Sequence, residues 1–167
     1  PVAVKRIRGQ VEFKDVAFHY EAGRPVIRGL DLRVEPGQTI ALIGPTGCGK
    51  STVLSLLLRF YDICGGELLI YGIDIRKYDV HALRRQFGIV LQESLLFSTT
   101  IAQNIRYGRP SATQEEIVAA ARVAEIHDFI MGLPKGYDTY VGDYGVELSV
   151  GQKQRINIAR AVAADPA

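Results

Sequence analysis

Thr39-Ile40-Ala41-Leu42-Ile43-Gly44-Pro45-Thr46-Gly47-Cys48-Gly49-Lys50-Ser51-Thr52 is the stretch whose reading decides the fold. The apolar run Thr39 to Ile43 is predicted to be a short strand buried on both faces. Gly44 to Ser51 then satisfies G-x-x-x-x-G-K-[ST], and a helix is predicted from about Lys50 to Phe60. Strand, glycine loop and helix open an α/β unit with a parallel sheet. The glycines let the backbone take positive φ and approach a polyanion with no Cβ in the way. Successive N–H groups of the loop Gly44-Pro45-Thr46-Gly47-Cys48-Gly49, in which Pro45 alone offers none, then form an anion nest, and the helix adds the positive end of its dipole. Lys50 is placed to stabilise β- and γ-phosphates, Ser51 to ligate Mg²⁺, and Thr52 to add a hydroxyl nearer an α-phosphate. The competing reading is a glycine turn that binds nothing, with Cys48 as a small filler; the strand before and helix after favour phosphate.

Upstream, Val11, Phe13 and Val16 loosely alternate with polar residues, so a half-exposed strand is expected, extended by Phe18-His19-Tyr20. Val26 to Val34 is a second stretch, closed by the turn Glu35-Pro36-Gly37. Downstream, Glu67 to Tyr71 reads as a strand, His81 to Gln86 as a short helix and Phe87 to Leu91 as a further buried strand. A mainly helical insert is expected from Glu93 to about Leu148. Within it, Thr113 and Glu116 have capping-box spacing, and helix runs to about Glu125, with one more turn in Asp128 to Leu133. Ser149 and Gln152 repeat the capping-box spacing at the start of a last helix ending near Ala164. Ser149 is thus either a cap alone or the edge of a second anion site.

Composition narrows the class. Hydrophobic residues at 47% and charged residues at 23% of 167 are those of a folded globular domain. A net charge of +2 is too small to make nucleic acid the main partner, and Lys5, Arg6 and Arg8 read as a solvated lead-in. No apolar run is long enough to span a bilayer, and no signal-peptide layout opens the chain. Cys48 and Cys64 are too few for a disulfide framework or a zinc site, so a reducing, cytosolic setting is expected. The opening Pro1 and the single Met131 suggest a piece of something longer.

Taken together, these motifs resemble the nucleotide-binding domain of ABC transporters, most closely the exporter type. Leu148-Ser149-Val150-Gly151-Gln152 is similar to the family's LSGGQ signature, with Val150 in place of a glycine. Gln92 resembles the Q-loop glutamine, which in the family senses Mg²⁺ and contacts the membrane domain. Tyr20 matches the aromatic that stacks on adenine, with an ordinary strand aromatic as the alternative. Arg24 and Val26 lie where further base or ribose contacts fall. Leu96-Phe97-Ser98, Thr100-Ile101 and Asn104-Ile105 echo an exporter-type stretch after the Q-loop, Leu96 and Phe97 reading as core. Thr139, Val141, Gly142 and Gly145 echo the segment that faces the coupling helices.

The resemblance implies a P-loop NTPase core carrying an N-terminal antiparallel β subdomain and a helical insert. Residues 1–92 would form the ATP-binding core, 93–148 the helical subdomain and 149–167 the signature helix. It implies ATP and Mg²⁺ as cofactors, a head-to-tail dimer with a second nucleotide-binding domain, a transmembrane domain as partner, and a place on the cytoplasmic face of a membrane. Ser149, Gly151 and Gln152 would act on the partner's nucleotide. The family's Walker B aspartate, catalytic glutamate, D-loop and switch histidine belong after Asp165-Pro166, so no general base is assigned. A Walker B strand would lie beside Thr39 to Ile43, and its loss would leave apolar strand edges open and the chain poorly stable. Against a transport ATPase stand a regulatory module that binds ATP without hydrolysing it, which Val150 favours, and an ATPase acting on DNA or ribosomes, which the weak charge opposes.

Overall fold

A computed structural model describes Arg6, Gly9–Gly142 and Gly145–Ala167. Lys5 and Arg8 of the basic lead-in lie outside the described residues. The chain divides into two compact units, residues 1–87 with Ala167, and residues 88–166.

The first unit is built on an antiparallel sheet in the order β2-β1-β3-β4, with β1 Val11–His19, β2 Pro25–Val34, β3 Gly65–Ile70 and β4 Ile73–Asp74. The imperfect alternation of β1 has a structural cause. Phe13 pairs with Leu32 and Val16 with Leu30, so the register slips between them, and Asp15 sits at φ 46° in the slip. The bulge resets the alternation, so Phe13, Val16 and Phe18 all face the core. Gly66 (φ 77°) is required opposite it, because a Cβ there would collide with the carbonyl oxygens of Lys14 and Asp15. The Asp15 N–H donates to Asp31 Oδ1 at 2.8 Å, replacing the ladder bond that the bulge removes.

Helix α1 (Lys50–Leu57) buries Thr52, Val53 and Leu56, spaced to share one face. It stops short of the expected Phe60 because Arg59 enters the left-handed region at φ 50°. The N–H of Arg59 bonds to Leu56 O and that of Phe60 to Ser55 O, the paired closure of a Schellman motif. Arg84, at the end of α2 (Val80–Arg84), donates to the carbonyls of Leu58 and Arg59 at 2.9 Å each. A cation on the exposed carbonyls of a helix end is also favoured by the helix dipole.

Two expectations fail. Thr39 to Ile43 and Phe87 to Leu91 are not strands, and neither is buried: Ile43 is 92% exposed and Leu91 62%. An apolar run becomes a buried parallel strand only when neighbours supply both ladders and both covering faces. Among the described residues nothing pairs with either segment.

The second unit is mainly helical: α3 Ile101–Arg106, α4 Gln114–Val123, α5 His127–Met131 and α6 Val150–Ala163. A short antiparallel ladder joins β5 (Thr99–Thr100) to β6 (Tyr140–Val141). The core is Ile101, Ile105, Ile117, Ile126, Ile130 and Ile156, with alanines at 120, 121, 159 and 163 that let helices approach closely. The capping box predicted for α4 forms in both directions, Glu116 N–H to Thr113 Oγ1 at 3.3 Å and Thr113 N–H to Glu116 Oε2 at 2.8 Å. Leu96 packs on this core, whereas Phe97 stays 47% exposed and stacks on Tyr107 at 4.4 Å. The reason is Arg160 of α6, whose guanidinium covers both rings and donates to the carbonyls of Leu95 and Asn104. Burial holds its pKa below the ordinary arginine value.

Candidate functional site

The glycine loop of the first unit runs into α1 through two left-handed residues, Gly47 (φ 85°) and Gly49 (φ 95°). Gly49 is the N-cap of α1 and makes no side-chain cap hydrogen bond, so the amides of the first turn keep their donors unassigned to any cap. Its underside rests on Val26, whose Cγ1 lies 3.4 Å from where a Cβ at 49 would stand. Glycine at 44 makes room for Cys48, since a Cβ there would meet Cys48 Sγ at 2.6 Å.

Lys50 folds back over this loop. Its Nζ donates to the carbonyls of Gly44 and Pro45, both at 2.8 Å, and lies 3.5 Å from Cys48 Sγ. No carboxylate pairs with it among the described residues. A cation is therefore held over a backbone cradle by neutral acceptors alone, which is a setting suited to an incoming anion. Ser51 is exposed at the first turn, and Thr52 is buried with Oγ1 3.1 Å from the Tyr20 hydroxyl. Pro45 and Thr46 are exposed on the loop's outer edge. Tyr20 follows the last residue of β1, and its ring is 52% exposed. Arg24 points to solvent and pairs with Glu21 at 3.2 Å, so of the upstream candidates Tyr20 and Val26 join the loop and Arg24 does not.

The remaining candidates belong to the second unit. Gln92 lies on an exposed bend. Ser149 caps α6: the Gln152 N–H donates to Ser149 Oγ at 3.2 Å, and the Ser149 N–H to Gln152 Oε1 at 2.9 Å. Val150 is 78% exposed and meets no strain, while a Cβ at Gly151 would meet open space. Leu148 is buried in the core and anchors the start of the helix. Gly142 (φ 99°) is forced by the close approach of Ser98, whose Cα would lie 2.7 Å from a Cβ there. A cavity of about 490 Å³ opens between Leu95-Leu96 and Gly145–Leu148.

Sequence reasoning missed Tyr61, whose ring stands perpendicular to that of Tyr20 at 5.0 Å. The adjacent aromatics Phe60 and Tyr61, immediately after α1, were the available signal.

A glycine-rich cradle with an unpaired lysine at the mouth of a helix defines the class of P-loop proteins. The family model described as ABC transporter matches residues 27–167. ABC transporter B family member 3 of Dictyostelium discoideum is 54% identical over 162 residues, which are 96% of this chain and 11% of that protein. A putative multidrug export ATP-binding/permease protein of Bacillus subtilis, YgaD, is 52% identical over 99% of this chain and 29% of its own length. The solved structure of a bacterial Atm1-family ABC exporter with ATP bound superposes with a TM-score of 0.92 at 47% identity, covering 98% of this chain and 29% of that one. The chain belongs to the ABC transporter family, and its fold is the P-loop ATPase fold of that family's nucleotide-binding domain. Members of the family are generally ATPases, and the Bacillus subtilis relative is by description an ATP-binding/permease protein. Among the described residues no helix is long and apolar enough to cross a membrane.

Proposed function

We propose that this chain binds Mg-ATP at the loop Gly44 to Thr52, as the nucleotide-binding domain of an ABC exporter in which ATP binding and hydrolysis drive transport. The observation that carries the reading is Lys50, a cation with no carboxylate partner among the described residues, bonded to the carbonyls of Gly44 and Pro45 in the glycine loop that leads to the uncapped start of α1. The nucleotide supplies the phosphoryl bond whose cleavage powers the cycle; the protein's own part here is to bind and orient. Lys50 exchanges its carbonyl contacts for phosphate oxygens. The loop amides take the remaining charge, and the Ser51 hydroxyl offers a ligand to Mg²⁺. Gln92 is a further Mg²⁺ ligand in this reading, and Tyr20 presents its ring to the base. Ser149, Gly151 and Gln152 serve the nucleotide of a second such domain in a head-to-tail pair. In this reading the segment of Thr139, Val141, Gly142 and Gly145 faces a transmembrane domain, and the chain lies on the cytoplasmic face of a membrane. These assignments rest on the resemblance together with the geometry of each unit.

A titration of the full chain with a fluorescent ATP analogue, with Mg²⁺ and with chelator, tests the reading. Saturable, Mg²⁺-dependent binding is expected, weakened about a hundredfold by Lys50→Ala. A folded wild-type chain that binds no nucleotide overturns it.

A further inference from the structure

We propose that Tyr61 is a positioning residue for the nucleobase: it fixes the ring of Tyr20 and thereby sets how much of the affinity for a nucleotide comes from the base rather than the phosphates. The inference rests on the reading of Tyr20 as the base platform.

Tyr20 stands just past the end of β1, where no ladder holds it, and half of its surface is exposed. Its ring is nevertheless constrained on three sides. The buried Phe18 lies 4.9 Å away with ring planes at 87°, and Tyr61 lies 5.0 Å away, also at 87°. The hydroxyl is tied to Thr52 Oγ1 at 3.1 Å. Phe18 and Tyr61 also touch, at 5.7 Å, so the three rings form one cluster. Edge-to-face pairs of this kind contribute beyond their buried area.

Of these supports, Phe18 belongs to the sheet core and Thr52 to the first turn of α1, so neither is free to serve Tyr20 alone. Tyr61 differs. It is 48% exposed and follows the left-handed turn at Arg59 that ends α1. That turn is itself pinned, because Arg59 bonds to Asp62 Oδ1 at 3.0 Å and to Tyr78 O at 3.1 Å. A half-exposed aromatic on a rigid turn, with its ring perpendicular to another half-exposed aromatic, restricts where that second ring can go. A platform held before the ligand arrives loses less side-chain entropy on binding. Removing Tyr61 therefore weakens binding through the base and leaves the phosphate loop intact.

The test is calorimetric titration of the full chain with Mg-ATP and with Mg-tripolyphosphate, which carries the phosphates without the base. Tyr61→Leu is expected to weaken ATP binding about fivefold, the scale of removing one aromatic pair, and to leave tripolyphosphate within about twofold. Tyr61→Phe, which keeps the ring, is expected to restore ATP binding. In a Tyr20→Ala background Tyr61→Leu should have no further effect, which a general structural role would not produce. Should Tyr61→Leu fail to fold, Tyr61→His carries the same comparison with a smaller ring. Equal losses for both ligands, or unchanged ATP affinity, overturn the inference while leaving Tyr20 as a platform. A wild-type chain that binds ATP no better than tripolyphosphate overturns the reading of Tyr20 and the inference with it.

Discussion

Helices α1 and α6 both begin at candidate anion sites of the sequence, yet their first turns are finished in opposite ways. Gly49 opens α1 in the left-handed region and caps nothing, while Ser149 opens α6 in an extended conformation and exchanges hydrogen bonds with Gln152. At α1 the free donors are joined by a cation with no carboxylate partner among the described residues; at α6 the serine and glutamine already satisfy each other. In the proposed function the first arrangement binds a phosphate on its own. The second is a stable helix start that must give up part of its box before Ser149 Oγ can turn to anything else. The same dipole and the same orphan amides thus yield an open site in one case and a satisfied cap in the other.

The largest effect that separates the two is on affinity. Lys50→Ala should weaken Mg-ATP binding by about a hundredfold, the scale of removing charge-assisted hydrogen bonds to an anionic ligand. Ser149→Ala should leave binding by the monomeric chain within about twofold. Comparable losses in the two variants, measured by calorimetry below the concentration of any self-association, would erase the distinction between the starts.

Backbone strain gives the next effect. Gly49→Ala forces an alanine to φ 95° against Val26, and should destabilise the first unit by about 1–2 kcal/mol. Gly151→Ala, at a helical position where a Cβ meets open space, should change stability by less than about 1 kcal/mol, in the stabilising direction. Denaturant midpoints for both variants check this, and an unaffected Gly49→Ala would show that the loop relaxes out of the left-handed region. Third comes the cap itself. Ser149→Ala should cost about 1 kcal/mol through loss of the box, detectable as faster amide exchange in the first turn of α6.

What the sequence made legible follows the range of the interactions involved. Capping boxes at Thr113 and Ser149, the glycine loop and the first strands were readable because each is decided within a few residues or by one face of a sheet. The bulge at Asp15 was visible only as a broken alternation, because the residue that makes room for it, Gly66, lies far along the chain. The strands expected at Thr39 to Ile43 and Phe87 to Leu91 failed because a parallel strand is a property of its neighbours, and no apolar run carries its own ladder. In the site, the residues given by motif, Lys50 and Gly49, were legible. Tyr61 was not, since its role depends on a turn after α1 returning it to the end of β1, an approach no local pattern encodes. Arg160 escaped for the same reason: its acceptors are carbonyls and rings rather than a carboxylate with sequence spacing.

The smallest effect sets two capping boxes against each other. In α4 the returning side chain is Glu116, and in α6 it is Gln152; only the first titrates. The Thr113 N–H holds the Glu116 carboxyl below its ordinary value, and Arg109, 2.6 Å away, adds to that. A carboxylate whose folded pKa is depressed contributes stability that is fully present above its unfolded value, near pH 4.5, and lost as pH falls through the folded pKa. Acidification should therefore loosen the first turn of α4 while α6 keeps its box. Because the Glu116 side chain is only half-buried, the change should appear as local amide exchange at Thr113 to Glu116 rather than as global unfolding. Glu116→Gln gives α4 the uncharged box of α6 and should reduce the pH dependence to what Glu115, the other carboxylate of that turn, contributes, without removing the box. If exchange at α4 and α6 instead accelerates together in acid, the carboxyl at 116 is not what distinguishes the two helix starts.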